Sequence, residues 1–377
     1  MAGSLSSLYG GRGISLARGE GSFVWDAEGR RYIDFFNGHG AALFGHSEPA
    51  LVEALTRGAR GVWSCGAGCE SPVREQTAKM LADEIRGGKV FLCNSGTEAV
   101  EGALKLAAAL NPGRHKILAC RRAFHGRSCG ALGLTFNPKY RAPFSALIPN
   151  VTHCAPTALP QAINSDTMAV FIEPVQGEGG VCPLDEETGR LITEACRARG
   201  AFLIADEVQS GLGRCGAFFA SSLHGLAPDI ICVAKGLAGG MPAGAVVWRE
   251  ELGDFPAHSH GSTYGGNELT AHVTAAALGL IKERGLCAHA ADIGAFIKEE
   301  ITKRNIPHIT EVRAAGLLIG AETDVPSQPA VHALQMAGLL CLAAGPRVVR
   351  LLPSFSVTRE TAFEAVNILE NVFREMK

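Results

Sequence analysis

Five short runs of apolar, β-prone residues recur through the middle of the chain, at 89–93, 116–120, 169–173, 202–205 and 230–234. Helical stretches separate them, the clearest over 97–110. Strands that are apolar on both faces must be covered on both faces, so the alternation predicts a mostly parallel sheet sheathed by helices. A hairpin is predicted upstream, over 23–34, where two short β-prone runs flank an Asp/Glu/Gly turn. Downstream, a long helix over 269–284 leads into a mixed region. Strands are predicted there at 312–321 and 348–352, with an amphipathic helix over 360–376. The expectation is an α/β chain with an N-terminal segment over 1–45, a large domain over 46–282 and a smaller α+β domain over 283–377. With 47% hydrophobic and 19% charged residues in 377, the chain can fill cores of that size.

The charge balance narrows the function. Lysine and arginine number 35 against 37 aspartates and glutamates, a net charge of −2. A nucleic-acid surface needs clustered basic residues, and no charge block or internal repeat stands out. No apolar run reaches the roughly 18 residues of a membrane helix, and residues 1–21 lack the apolar core of a secretory signal. The twelve cysteines are scattered, and no Cys-x-x-Cys pair marks a zinc or redox motif. They are expected to be buried thiols of a cytoplasmic protein without a metal site.

Ligands of such sheets gather beyond the carboxyl ends of the strands, and four of those ends carry unusual residues. Asn94-Ser95-Gly96-Thr97-Glu98 follows the first run. Ser95 and Glu98 have the spacing of a capping box. Gly96 and Thr97 add free backbone N–H groups and a hydroxyl at the positive end of a helix, an arrangement suited to phosphate. Asp206-Glu207-Val208-Gln209 follows the fourth run. An acid there is costly to ionise unless a cation meets it, and Arg214 is near in sequence. Lys235 directly follows the fifth run, where desolvation can lower its pKa and make it a Schiff-base nucleophile. The third run ends at Glu173 and turns into a glycine loop with a second acid, Glu178. Phosphate cup, buried acid and strand-end lysine together meet the needs of pyridoxal 5′-phosphate. The lysine holds its aldehyde, the acid keeps its pyridine nitrogen protonated, and the cup anchors its phosphate. A rival pattern, Gly211-Leu212-Gly213-Arg214-Cys215-Gly216, formally matches a dinucleotide-binding loop. Asp206 and Glu207 stand between strand and glycines there, where they would repel a pyrophosphate, and Asp229 precedes a strand instead of ending one.

From about residue 19 to the C-terminus the sequence resembles the class III (subgroup II) aminotransferases of PLP fold type I. Within them it is most similar to the branch holding acetylornithine aminotransferase and the carrier-protein-linked aminoadipate-semialdehyde aminotransferase of lysine biosynthesis. The resemblance rests on Asn94-Ser-Gly-Thr-Glu-Ala99, Phe124-His-Gly-Arg-Ser128, Glu173-Pro-Val-Gln-Gly-Glu-Gly-Gly180, Asp206-Glu-Val-Gln209, Ala234-Lys-Gly-Leu237 and His260-Gly-Ser-Thr-Tyr-Gly-Gly-Asn267. It implies that Lys235 binds the cofactor and moves the proton, and that Asp206 pairs with the pyridine nitrogen. Val208 and Phe124 would sandwich the ring, and Gln209 would approach its hydroxyl. Ser95, Gly96 and Thr97 would hold the phosphate with Thr263 from a partner subunit, making a homodimer obligatory; Glu173 and Glu207 would complete the cofactor site. Arg127 would clamp a substrate carboxylate and Ser262 would touch substrate. Glu178 and Arg350 resemble a switch in which an acid covers an arginine unless a second substrate carboxylate arrives. The implied reaction moves the terminal amine of N2-acetylornithine, or a similar N2-blocked ω-amino acid, to 2-oxoglutarate, as in arginine biosynthesis. The carrier-linked reaction of lysine biosynthesis, with an acidic carrier protein as partner, and ornithine or 4-aminobutyrate transamination are the alternatives. Glu268, where the family usually has proline, Ser128 for a common threonine, and the segment Phe35-Phe-Asn-Gly-His-Gly-Ala41 depart from the pattern.

Overall fold

The computed structural model describes residues 6, 8, 10–66, 68–85 and 87–376. Its centre is a seven-stranded sheet in the spatial order Gly88–Cys93, Gly244–Arg249, Ile230–Val233, Phe202–Asp206, Thr167–Ile172, Lys116–Cys120, Thr152–Cys154. Every strand runs the same way except Gly244–Arg249, which is antiparallel to both neighbours. The five expected strands are there. Thr152–Cys154 and Gly244–Arg249 are additional.

Alternation along the strands explains why both faces are covered. Ile230, Cys232, Val246 and Trp248 pack with Val100, Ala103 and Leu106 of the helix Gly96–Leu110. Ile231, Val233, Ala245 and Val247 face the other way, toward Val273, Ala277 and Ile281 of the helix Glu268–Glu283. That helix is followed by a second, Leu286–Lys303, which the sequence reading left within a mixed region. The break falls at Gly285, whose φ of 59° turns the chain out of the first helix.

The run expected as one strand over 312–321 is a hairpin, Ile309–Ala315 against Leu318–Thr323. The reversal uses Gly316, at φ 51°, where a Cβ would lie 2.5 Å from the Arg214 carbonyl oxygen. Val348–Leu351 and Leu342–Ala343 extend this second sheet. A third sheet joins the two ends of the chain: Leu16–Glu20, Phe23–Asp26 and Arg31–Asp34 pair in turn, and Arg31–Asp34 pairs in parallel with Leu339–Leu340. The N-terminal segment is thus stitched to the C-terminal region. No helix among the described residues is long and apolar enough to cross a membrane. All twelve cysteines are free thiols, six of them buried.

Candidate active site

A cavity of about 450 Å³ opens beyond the carboxyl ends of the central strands. Ser95, Gly96, Thr97, Phe124, Arg127, Glu173, Glu178, Asp206, Val208, Gln209 and Lys235, all singled out by the sequence, line it. They come from five separate chain segments that only the sheet brings together.

Lys235 sits where Ile230–Val233 ends. Its φ of 50° is left-handed, a conformation costing an L-residue roughly 1–2 kcal/mol. It opens the 3₁₀ turn Lys235–Ala238. The next residue must be glycine because a Cβ at Gly236 would lie 2.5 Å from Leu43 Cδ2. Burial lowers the Lys235 ammonium pKa to about 8, a fall that Glu178 opposes and Arg350 reinforces.

Asp206 is the last residue of its strand and is buried. Its Oδ1 accepts from the Val208 N–H at 3.0 Å, and its Oδ2 lies 2.7 Å from His125 Nδ1. The partner this acid meets is therefore the His125 imidazole, and Arg214 is elsewhere. Burial works against charge on His125, but the hydrogen bond and charge of Asp206 outweigh it, and its pKa is raised. The sequence reading missed His125 although it lies inside the Phe124-His-Gly-Arg motif; its place beside an aromatic residue gives no periodic signal. Glu173 accepts from the Phe124 N–H at 2.9 Å and the Gly177 N–H at 3.3 Å, tying two loops together. Burial pushes its pKa up to about 7.

The expected phosphate cup is the start of the helix Gly96–Leu110. Ser95 caps it by accepting from the Glu98 N–H at 3.3 Å, while Glu98 reaches back to the Asn94 N–H and Nδ2. A Cβ at Gly96 would lie 2.7 Å from Val208 Cγ1, and one at Gly126 would lie 2.4 Å from Thr97 Oγ1. Both positions keep backbone close to the cavity because nothing larger fits. Thr97 Oγ1 is 2.6 Å from Ser128 Oγ. Backbone donors at a helix start, a buried carboxylate, a ring face from Phe124 and a lysine of lowered pKa make a donor set that fits pyridoxal 5′-phosphate.

Arg127 is exposed at the mouth, its guanidinium 3.9 Å over the ring of Tyr140, another residue the sequence reading passed over. Arg350 enters from the second sheet, on Val348–Leu351, and is 1% exposed. Its Nη2 pairs with Glu178 Oε1 at 2.7 Å and its Nη1 donates to Gln209 Oε1 at 2.9 Å. Burial alone would raise the Glu178 pKa, but Arg350 and Lys235 hold it below the ordinary carboxylate value. Gly177 is required beside this pair, since a Cβ there would lie 2.1 Å from Gln209 Oε1. Arg313 fixes the far side of the loop, donating to the carbonyls of Gly180 and Val181.

Four expected positions lie outside the cavity lining: Arg350, which reaches it only through Glu178 and Gln209, and Glu207, Ser262 and Thr263. Glu207 is turned away: its carboxylate accepts from the Ser210 hydroxyl, the Ala220 N–H, and the N–H and hydroxyl of Ser221. The reason is alternation, because successive residues at a strand end point to opposite sides. Ser262 accepts from Asn94 Nδ2 at 3.0 Å and so touches the cavity wall from behind. Thr263 is exposed, away from the cavity of its own protomer. The rival glycine pattern at 211–216 is a turn holding Arg214, which is buried and donates to the carbonyls of Leu317, Pro353 and Gly40. Glu268 closes a cluster of its own, accepting from Arg74 Nη2 at 2.6 Å and from the Cys65 N–H at 3.0 Å.

The class is settled by comparison as well as by the site: the family model for class III aminotransferases matches residues 10–373, and the chain belongs to that family. It is a pyridoxal 5′-phosphate-dependent aminotransferase. Among its relatives, the acetylornithine aminotransferase of Bacillus subtilis is 39% identical over 97% of each chain. The [LysW]-aminoadipate semialdehyde transaminase of Deinococcus radiodurans is also 39% identical, over 98% of this chain and 88% of the relative. The ornithine aminotransferase of Toxoplasma gondii superposes with a TM-score of 0.94 at 29% identity, covering 98% and 92% of the two chains. The acetylornithine aminotransferase of Elizabethkingia anophelis gives a TM-score of 0.88 at 31% identity, covering 98% and 96%.

Proposed function

We propose that this aminotransferase moves the terminal amine of an N2-blocked ω-amino acid, N2-acetylornithine in the first instance, to 2-oxoglutarate. The observation that carries this reading is the Glu178–Arg350 pair beside Lys235. Glutamate brings two carboxylates to the site, whereas a blocked ω-amine brings one. Arg127 serves the first by bidentate hydrogen bonding. Arg350 serves the second, and Glu178 neutralises it when the substrate has none; a buried arginine left bare would be costly.

When bound, pyridoxal 5′-phosphate supplies an aldehyde that condenses with amines and a ring that accepts the electrons of the broken C–H bond. The chain's own residues do the rest. Lys235 Nζ, with its pKa near 8, can give up its proton close to neutrality and then act as base at the amine-bearing carbon of the substrate. Asp206, backed by His125, would hold the proton on the ring nitrogen; Gly96 and Thr97 would hold the phosphate, and Val208 and Phe124 would fix the ring between them. Thr263, exposed in its own protomer, supports a homodimer in which each subunit completes the other's phosphate site.

The second reading is the same chemistry on a carrier-linked amine, supported by the equal identity to the two kinds of relative. The test is a panel of amino donors with 2-oxoglutarate: acetylornithine, ornithine, 4-aminobutyrate and a carrier-linked lysine precursor. A blocked donor should have the highest kcat/KM. Faster turnover of free ornithine or 4-aminobutyrate would remove the substrate assignment while leaving the aminotransferase class intact.

A further inference from the structure

Arg350 makes a contact that recognition of a second carboxylate does not require. Its buried side chain has three nitrogens to satisfy. Nη2 pairs with Glu178 Oε1 at 2.7 Å, Nη1 donates to Gln209 Oε1 at 2.9 Å, and Nε has no partner among the described residues. If a substrate carboxylate displaces Glu178, the bond to Gln209 is the one that stays.

That bond fixes the glutamine. A guanidinium only donates, so the amide oxygen of Gln209 must face Arg350; a flipped amide would set donor against donor. The N–H donors of Nε2 therefore face away from Arg350. Gln209 lines the cavity, and no protein acceptor meets Nε2 among the described residues. The amide also lies flat against the backbone of Gly177, where a Cβ would come within 2.1 Å of Oε1 and 3.0 Å of Nε2. Gly177 is itself held, its N–H donating to the buried Glu173 carboxylate at 3.3 Å.

Pyridoxal 5′-phosphate has few acceptors to offer such a donor. Its aldehyde oxygen leaves as water when Lys235 binds it, its protonated ring nitrogen would face Asp206, and its phosphate would lie at the Gly96–Thr97 cup. The ring hydroxyl oxygen is what remains. We propose that Gln209 links Arg350 to the cofactor: Arg350 holds the amide so that Nε2 donates to the ring hydroxyl oxygen, and the arginine that reads the second substrate carboxylate thereby also sets the basicity of the cofactor. Arg350 is in this respect a positioning residue. The guanidinium polarises the amide and strengthens its N–H donors. Hydrogen bonding to the charged form of an acid favours that form, so a donor on the ring oxygen lowers the pH at which the cofactor titrates. The link rests on the cofactor placement given under the proposed function and does not depend on which amine is the substrate.

The experiment follows the absorbance of the cofactor-loaded enzyme against pH in a double-mutant cycle. Gln209→Met, similar in shape but without the amide, should raise the midpoint by about one pH unit. Arg350→Met should raise it by about half a unit, and by less than about a third of that shift when Gln209 is already methionine. A shift of equal size in both backgrounds would mean that Arg350 acts through space by its charge, and overturns the link. An unmoved midpoint in Gln209→Met overturns it too. Gln209→Asn keeps the amide but is one methylene too short to bridge arginine and ring; it should behave as Gln209→Met does, and it carries the cycle if the methionine variant does not fold. A wild-type midpoint in Gln209→Asn overturns the proposal. Titration of apoprotein with the cofactor gives a second readout. Arg350→Met should weaken uptake about threefold or more, whereas an arginine that only reads substrate would leave it unchanged. Borohydride trapping separates the two possible failures: a label on Lys235 without the coupled shift overturns the link alone, and a label on another lysine removes the cofactor placement beneath it.

Discussion

The wall of the cavity nearest the sheet is made of strand ends, whereas the wall nearest the mouth is made of loops and of one strand from the second sheet. Lys235 and Asp206 follow directly from buried strands of the central sheet, and the Gly96–Thr97 cup from its half-buried edge strand Gly88–Cys93. Glu178 stands on a glycine-rich turn, Arg127 is exposed over Tyr140, and Arg350 crosses from Val348–Leu351. The first wall can hold one cofactor in one geometry. The second can rearrange, because its ion pair is made of side chains on separate elements and one partner sits on a loop. On the proposed function, rigid strand ends serve the chemistry shared by all substrates and adjustable loops tell them apart.

Substitutions should separate the two walls by the pattern of loss. Lys235→Ala should lower kcat on the order of 10⁴-fold for donor and acceptor alike, since proton transfer at the substrate carbon is common to both half-reactions. A loss confined to one half-reaction in single-turnover measurements would break the distinction. Glu178→Gln should be smaller and asymmetric. It should lower kcat/KM for acetylornithine about tenfold by baring Arg350, and leave that for glutamate within about twofold. Equal losses would show that Glu178 merely supports the loop. The smallest effect on turnover should come from Glu268→Gln, which breaks an ion pair with Arg74 outside both walls. Burial opposes the charge on Glu268, but hydrogen bonds from Cys65, its own backbone N–H and Arg74 hold its pKa down at about 2. The stabilisation is therefore full above the ordinary glutamate pKa of 4.5 and is lost as pH falls toward 2. Glu268→Gln should cost about 2 kcal/mol in denaturant titrations at pH 7 and flatten the acid limb of the stability curve, with substrate ratios unchanged.

The same division governs what could be read from the sequence. Short apolar runs mark buried strands, and an isolated charged residue just beyond such a run is conspicuous, so Lys235, Asp206 and the phosphate cup were legible from residue order alone. His125 was not, because its role depends on a contact with Asp206 across two strands of the sheet. Glu207 looked equivalent to Asp206 only because one-dimensional adjacency hides the alternation that turns it toward Ser210 and Ser221. The strand Gly244–Arg249 escaped notice because it breaks the strand–helix rhythm by returning antiparallel. Phe124 and Thr263 were named by resemblance and not by pattern. The substrate wall was least legible: Arg127 and the Glu178–Arg350 pair were named by resemblance, and Tyr140 not at all, because its stacking with Arg127 appears only in the fold.

The convergence of Lys235 and the Asp206–His125 pair on one cofactor is most directly tested by reductive trapping. Borohydride treatment of the cofactor-loaded enzyme, followed by peptide mapping by mass spectrometry, should find a pyridoxyl group on the peptide containing Lys235 and on no other. Reloading of apoprotein should quicken as pH rises through about 8, as the lysine loses its proton. A label on another lysine, or no label on a wild-type enzyme that has taken up the cofactor, would contradict the account.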